Sequence, residues 1–187
     1  MSRPRLLVAL IASVAALAFA GCGNKEEEYT FGGTEGTYVT VDGLKYQVQI
    51  SRILNPSDVE DQGYLRGISE GVAPGADEVW FAVFMRVEND GDKAERAATD
   101  YLITDTQGNR YRPLSFAPVN SFAYRGGGLM LPTEILPKPD SPAGQGSIQG
   151  ALLLFKIPTR NLENRPLELS IRTPAAPGKV ATVDLDI

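Results

Sequence analysis

From Leu44 onward the sequence alternates, and no other feature restricts the fold of this chain as much. Leu44, Tyr46, Val48 and Ile50 stand against Lys45, Gln47, Gln49 and Ser51, a period of two that turns one face of an extended strand to a core and the other to water. Val79, Phe81, Val83, Met85 and Val87 repeat the period, but Trp80, Ala82 and Phe84 make the opposite face apolar over the first half of that segment. Such a strand belongs at the centre of a sheet, covered on both sides there. Further strands are expected around residues 101–104 and 151–157, at Leu167, Leu169 and Ile171, and at Val183, Leu185 and Ile187. Asn89-Asp90-Gly91-Asp92 and Asp105-Thr106-Gln107-Gly108-Asn109 supply turns. After residue 21 nothing holds a helical period for three turns, although Asn55-Pro56-Ser57-Asp58 is expected to open a short helix ending near Gly63. These signals predict an all-β fold, an antiparallel β-sandwich of seven or eight strands.

The N-terminus reads as an address. Arg3 and Arg5 precede an uncharged apolar run over residues 6–20, and Ala20-Gly21 stand before Cys22. This resembles a bacterial lipoprotein signal, with Phe19 where that pattern usually has an aliphatic residue. Small residues admit a membrane peptidase, and the Cys22 thiol becomes the attachment point for lipid. Ala18-Phe19-Ala20 also satisfies the rule for ordinary signal cleavage, which would release the chain. The run falls short of the roughly 20 residues that span a bilayer. The expected organisation is a signal peptide over 1–21, lipidated Cys22 opening a flexible acidic tether over 22–37, and the sandwich over 38–187. The tether reading rests on Glu26-Glu27-Glu28 and Gly32-Gly33. Localisation is then the extracytoplasmic face of a cell membrane, with the membrane itself a partner through the lipid.

Composition removes most chemistry. The chain has no histidine and one cysteine, so it lacks the usual general base, the commonest metal ligand and any internal disulfide. Without Arg3 and Arg5, 16 basic residues face 23 acidic ones, a net charge of −7 that speaks against nucleic acid. No Ser-x-x-Lys box is present, and Gly126-Gly127-Gly128 has no following lysine to make a phosphate cradle, which leaves it as a hinge. No cofactor is expected. Carboxylates remain: a pair could act on a glycan, and Asn89, Asp90 and Asp92, joined by Asp105, form a weak calcium pattern in turns. Trp80 is expected to pack.

Two connections exceed what a minimal sandwich needs. Residues 55–78 are polar around Val59, Tyr64, Leu65 and Ile68, and residues 113–147 carry six prolines and five glycines around Phe116, Phe122, Tyr124, Leu129 and Met130. Loops of this length either cover a core or bind something. Tyr64, Phe116, Phe122 and Tyr124 are the expected anchors of a binding surface, since aromatic side chains give contact area at small entropy cost.

Residues 79–92 (VWFAVFMRVENDGD) followed by 100–111 (DYLITDTQGNRY) resemble a family of bacterial extracytoplasmic immunoglobulin-like domains, commonly lipoproteins of actinobacterial type and of unknown function. Residues 149–158 (QGALLLFKIP) and then Arg165-Pro166-Leu167-Glu168-Leu169 match its second half. A mycobacterial immunogenic secreted protein is a structural relative of that family. The resemblance, over about residues 38–187, implies an immunoglobulin-like β-sandwich without established enzymatic activity and carries over no site residues. The expectation is a non-catalytic, lipid-anchored module with a protein or glycan partner in the envelope. A carboxylate-dependent glycan-acting enzyme and a calcium-dependent adhesion domain are the alternatives.

Overall fold

The computed structural model describes residues 28–69 and 72–185; residues 1–21, the expected signal, and Cys22 lie outside the described residues. Strands β1 (Glu28–Thr34), β2 (Tyr38–Val41) and β3 (Leu44–Leu54) lead into helix α1 (Val59–Tyr64), then β4 (Glu78–Glu88), β5 (Glu95–Arg96), β6 (Asp100–Thr104) and β7 (Arg110–Tyr111). After β8 (Leu129–Met130), β9 (Ile135–Leu136) and the short helix α2 (Pro142–Gln145) come β10 (Ala151–Pro158), a 3-10 turn at Thr159–Glu163, β11 (Leu167–Arg172) and β12 (Lys179–Leu185). One sheet runs β10-β4-β3-β2 with β9 added beside the end of β4; the other runs β1-β12-β11-β6-β7. With β3, β4, β6, β10, β11 and β12 as strands A, B, C, E, F and G, the pairings A-B-E and C-F-G are those of an immunoglobulin-like sandwich. Residues 113–150 take the place of strand D.

The alternation does its expected work. Phe81, Val83, Met85 and Val87 point from β4 into the space between the sheets, where they meet Tyr46 and Val48 of β3, Leu153, Phe155 and Ile157 of β10, and Leu169, Ile171, Ala181 and Val183 across the core. A register shift between Val48 and Ile50 breaks the phase of β3. Beyond that bulge Ser51 is buried and Ile50 exposed, the reverse of a strict alternation, because one extra residue turns every later side chain over.

Trp80, Ala82 and Phe84 lie on the outer face of the same strand, and the two long connections cover them. Tyr64, Leu65 and Ile68 come from the first, Leu114, Phe116 and Phe122 from the second, and together with Leu54, Leu152 and Leu154 they build a second apolar cluster. The expected short helix is present: Asp58 caps α1, its Oδ1 accepting from the amides of Glu60 at 2.9 Å and Asp61 at 3.1 Å.

Four expectations are corrected. The described residues hold twelve strands rather than seven or eight, because several are two-residue pieces that carry no alternation. The sheets are mixed rather than antiparallel, since β1 runs parallel to β12. That strand lies inside the expected tether over 22–37, so the sandwich starts by Glu28 and not at 38; its ladder to β12 is made by backbone groups, which a glycine-rich sequence supplies without side-chain patterning. Gly32 is required there, for a Cβ would sit 2.7 Å from the Thr182 carbonyl oxygen. Lastly, Gly126-Gly127-Gly128 is docked and not a hinge: Gly127 N–H donates to the Ala97 carbonyl, and Ala97 N–H to the Gly128 carbonyl.

A Cβ on Gly126 would lie 2.1 Å from the Ala98 carbonyl oxygen, whereas one on Gly128 meets nothing within 4 Å. Gly126→Ala is therefore expected to lower unfolding free energy in urea by about 1–3 kcal/mol, with Gly128→Ala within about 0.5 kcal/mol of wild type. Equal losses would mean that the backbone at 126 moves freely away from Ala98.

Candidate functional site

The residues expected to anchor a binding surface are brought into one neighbourhood, but not into one role. Tyr64 is 3% exposed and packs edge-on against Phe84 and Phe122, each at 4.9 Å between ring centres. It is part of the cover and offers no docking area, which corrects its reading as an anchor. Phe116, Phe122 and Tyr124 are half-buried. Phe116 forms a β-bridge with Ile68, and the Ala117 amide donates to the Gly67 carbonyl at 2.8 Å, so the two long connections pair with each other.

The pin of this arrangement is Asn120, which no sequence pattern marks. Buried at 3% exposure, it donates through Nδ2 to the Tyr64 and Arg66 carbonyls and accepts through Oδ1 from the amides of Phe122 and Ala123, all within 2.9 Å. Every hydrogen-bonding position on the carboxamide that faces these turns is used, which ties the segment to the first connection, while backbone bonds of Phe122 and Tyr124 with Leu152 fix it against β10.

Two hollows flank that segment. One, of about 370 Å³, is floored by Phe122, Ala123, Leu136, Ala143 and Ala151 and rimmed by Arg125, Lys138 and Asp140. The other, of about 400 Å³, lies between the segment and the edge of the sandwich and is lined by Thr99, Tyr101, Ser115, Phe116, Tyr124, Arg125 and Leu153 among others. Tyr124 and Arg125 line both. Both volumes fall in the range of small-ligand sites.

The wall beside the second hollow is a tyrosine cluster. Tyr46 accepts from the Ala98 amide at 2.9 Å, Tyr124 donates to the Ala98 carbonyl at 3.0 Å, and the Tyr124 ring stands edge-on to Tyr101 at 5.1 Å. Burial pushes all three phenols up, Tyr46 to about 12, and holds them protonated at physiological pH. The Tyr101 hydroxyl is buried and makes no hydrogen bond of ordinary geometry, but it interacts with the Tyr124 hydroxyl beside it. Arg125 holds the carbonyls of Phe116 and Ala117 through its two terminal nitrogens. Sequence reasoning missed Tyr101 because its alternation marks it as core, which it also is.

Several acidic residues have structural partners. Asp61 is buried and paired with both terminal nitrogens of Arg52, and it also accepts from the Asn55 amide at 2.7 Å. Glu60 accepts from the hydroxyls of Tyr64 and Ser147. The four residues of the calcium pattern do not converge. Asn89 uses its carboxamide on the Lys93 and Met130 carbonyls and the Gly91 amide, Asp90 pairs with Lys45, and Asp92 is exposed. Asp105 lies in the turn after β6, in the other sheet. Among the described residues no group of three or more acidic or cysteine side chains is placed to hold a metal ion.

No protein-family model matches the chain, and no curated protein matches it. Solved structures do. The yjhA protein of Bacillus subtilis is 12% identical with a TM-score of 0.51, over 82% of this chain and 99% of that one. What the two share is the fold. An uncharacterised β-sandwich protein of Clostridium difficile 630 is 11% identical with a TM-score of 0.45, over 87% of this chain and 96% of its own. The candidate lipoprotein ycdA of Bacillus subtilis subsp. subtilis str. 168 is 10% identical with a TM-score of 0.48, over 82% of this chain and 39% of its own. Among the described residues no helix is long and apolar enough to cross a membrane.

Asp105 instead organises its turn. Burial pushes its carboxyl up, but donors from Asn109, Asn164 and Tyr111 outweigh that and bring it down to about 2, from an ordinary 3.8. Between those values the unfolded chain binds the proton that the folded chain refuses, so the stabilisation is complete above about pH 4 and lost as pH falls through about 2. Urea midpoints are expected to drop over that window in the wild type and to drop less in Asp105→Asn. Matching acid slopes would show that the carboxylate contributes nothing to the fold.

Proposed function

We propose that this chain is a non-catalytic binding module of the bacterial cell envelope, held on the extracytoplasmic face of the membrane by lipid on Cys22, and that it takes a sugar unit of an envelope glycan into the hollow beside Tyr101. The strand and turn sequences support counting it with the actinobacterial-type extracytoplasmic immunoglobulin-like domains. The observation that carries the binding reading is the hollow of about 400 Å³ itself, walled by aromatic rings and polar groups together. Phe116 and Tyr124 offer apolar ring surface, while Thr99, Ser115 and Arg125 offer polar groups, the mixture that suits a polyhydroxylated ring with one apolar face.

Ser115→Trp, at an exposed position on the wall of the hollow, tests this. The indole fills the hollow, so the variant is expected to unfold within about 0.5 kcal/mol of wild type in urea and to lose the amide shifts at Thr99 and Gly126 that soluble glycan fragments of the envelope cause in the wild type. If glycan moves no amide, and crosslinks in intact cells map a protein onto residues 113–147, a protein partner takes its place.

The anchor has its own test. Cys22→Ala is expected to move the protein from the detergent phase to the aqueous phase in a phase-partition assay, as two or more acyl chains at about 0.8 kcal/mol per buried methylene are lost. A variant that stays with detergent overturns the lipid assignment.

A further inference from the structure

We propose that the module stands on the bilayer in one orientation, with the end of the sandwich that carries Leu129 and Leu131 turned to the lipid and those two side chains set into the headgroup region. This rests on the reading of Cys22 as the lipid anchor. Strand β1 opens at Glu28, beside Lys179, the first residue of β12. From Cys22 to Glu28 is six residues, which no backbone conformation stretches beyond about 20 Å. The end of the sandwich at which β1 begins is therefore held at the membrane.

Strand registers say what else lies at that end. β11 is antiparallel to both β12 and β6, so Arg172 and Asp100 fall in the row of Val180, next to Lys179. The Tyr46 hydroxyl accepts from the Ala98 amide, two residues before Asp100, and Tyr46 and Lys45 pair with Val87 and Glu88, so the start of β3 and the end of β4 lie there too. β9 joins Val87 and Glu88 of β4, Thr133 N–H donates to the Asn89 carbonyl, and β8 pairs with β5. Residues 129–131 thus lie past the last residue of β4. Met130 is buried, and strand alternation puts its neighbours on the opposite face: Leu129 and Leu131 are each 53% exposed.

Charges at this end have both signs, Lys179 and Arg96 against Asp90 and Asp92, and the chain is acidic as a whole, so electrostatic attraction to anionic headgroups does not select the orientation. The short covalent link and the apolar pair do. The opposite end is distant: β4 alone, at 11 residues, spans about 34 Å, and the turn that carries the exposed Gln107 lies toward that end, where the Thr106 amide donates to the Asn164 carbonyl in the segment after β10.

The acylated full-length chain leaves no other thiol, so Leu131→Cys and Gln107→Cys each give one site for an environment-sensitive fluorophore. Both are reconstituted into phosphatidylcholine–phosphatidylglycerol vesicles that carry a quencher at a shallow acyl position. The expected result is several-fold stronger quenching at 131 than at 107, with a blue-shifted emission at 131 only. If the chain floats with vesicles and Cys22→Ala does not, yet 131 is quenched no more than 107, the orientation is overturned and the anchor stands. If the chain does not float with vesicles, the anchor reading falls and takes the orientation with it.

Discussion

Trp80, Ala82 and Phe84 alternate with the inward residues of β4, so the strand that joins β3 to β10 is apolar on the side that a two-layer sandwich leaves in water. Two large aromatic side chains on that face, worth about 1.5–3 kcal/mol each on burial, have to be covered. The two long connections do this, and much of the remaining architecture follows from their being drawn to one place: the cap that starts α1, the bridge between Ile68 and Phe116, and the carboxamide of Asn120 between them.

Covering the outer face also creates the hollows. The second connection has to leave β7 in one sheet, reach β10 in the other, cross the outer face and return to the end of β4. Its backbone is fixed at Asn120, against β10 at Phe122 and Tyr124, and at the Ala97–Ala98 contact of the glycine run, and the hollows open on either side of that docked segment. The candidate site is thus made by chain that the core requires for another reason.

How much of this was legible in the sequence depended on whether side chains or backbone carried the structure. Strand β4, the start of β3, β10 and the helix cap at Asp58 are set by side-chain patterns, and each lies where the pattern puts it. The covering role of residues 55–78 and 113–147 was legible as an alternative to binding, because both connections carry apolar residues without a period. What escaped depends on groups common to all residues: β1 pairs through its backbone, the bulge at Val48–Ile50 inserts one residue without a marker, and the glycines at 126–128 look mobile until the carbonyl of Ala98 stands beside them. Tyr101 and Asn120 escaped for another reason. Asn120 matters because its Nδ2 reaches the carbonyls of Tyr64 and Arg66, and Tyr101 because Tyr124 stands against it, and those partners come from distant chain.

One consequence concerns the sides of the sheets. Of the four lateral strands, β10 is the longest at eight residues, followed by β1 at seven, β2 at four and β7 at two. In its first half the outward backbone groups of β10 are taken by the passing chain: the Leu114 amide donates to the Leu154 carbonyl, the Tyr124 amide to the Leu152 carbonyl, and the Leu152 amide to the Phe122 carbonyl, at 2.7–2.8 Å. A neighbouring copy finds the first half of that edge taken, and β2 and β7 are too short to template a strand, which leaves β1 as the long lateral strand. For molecules crowded side by side in a two-dimensional layer, where encounters are repeatedly edge to edge, strand addition is thereby confined largely to one side of the sandwich.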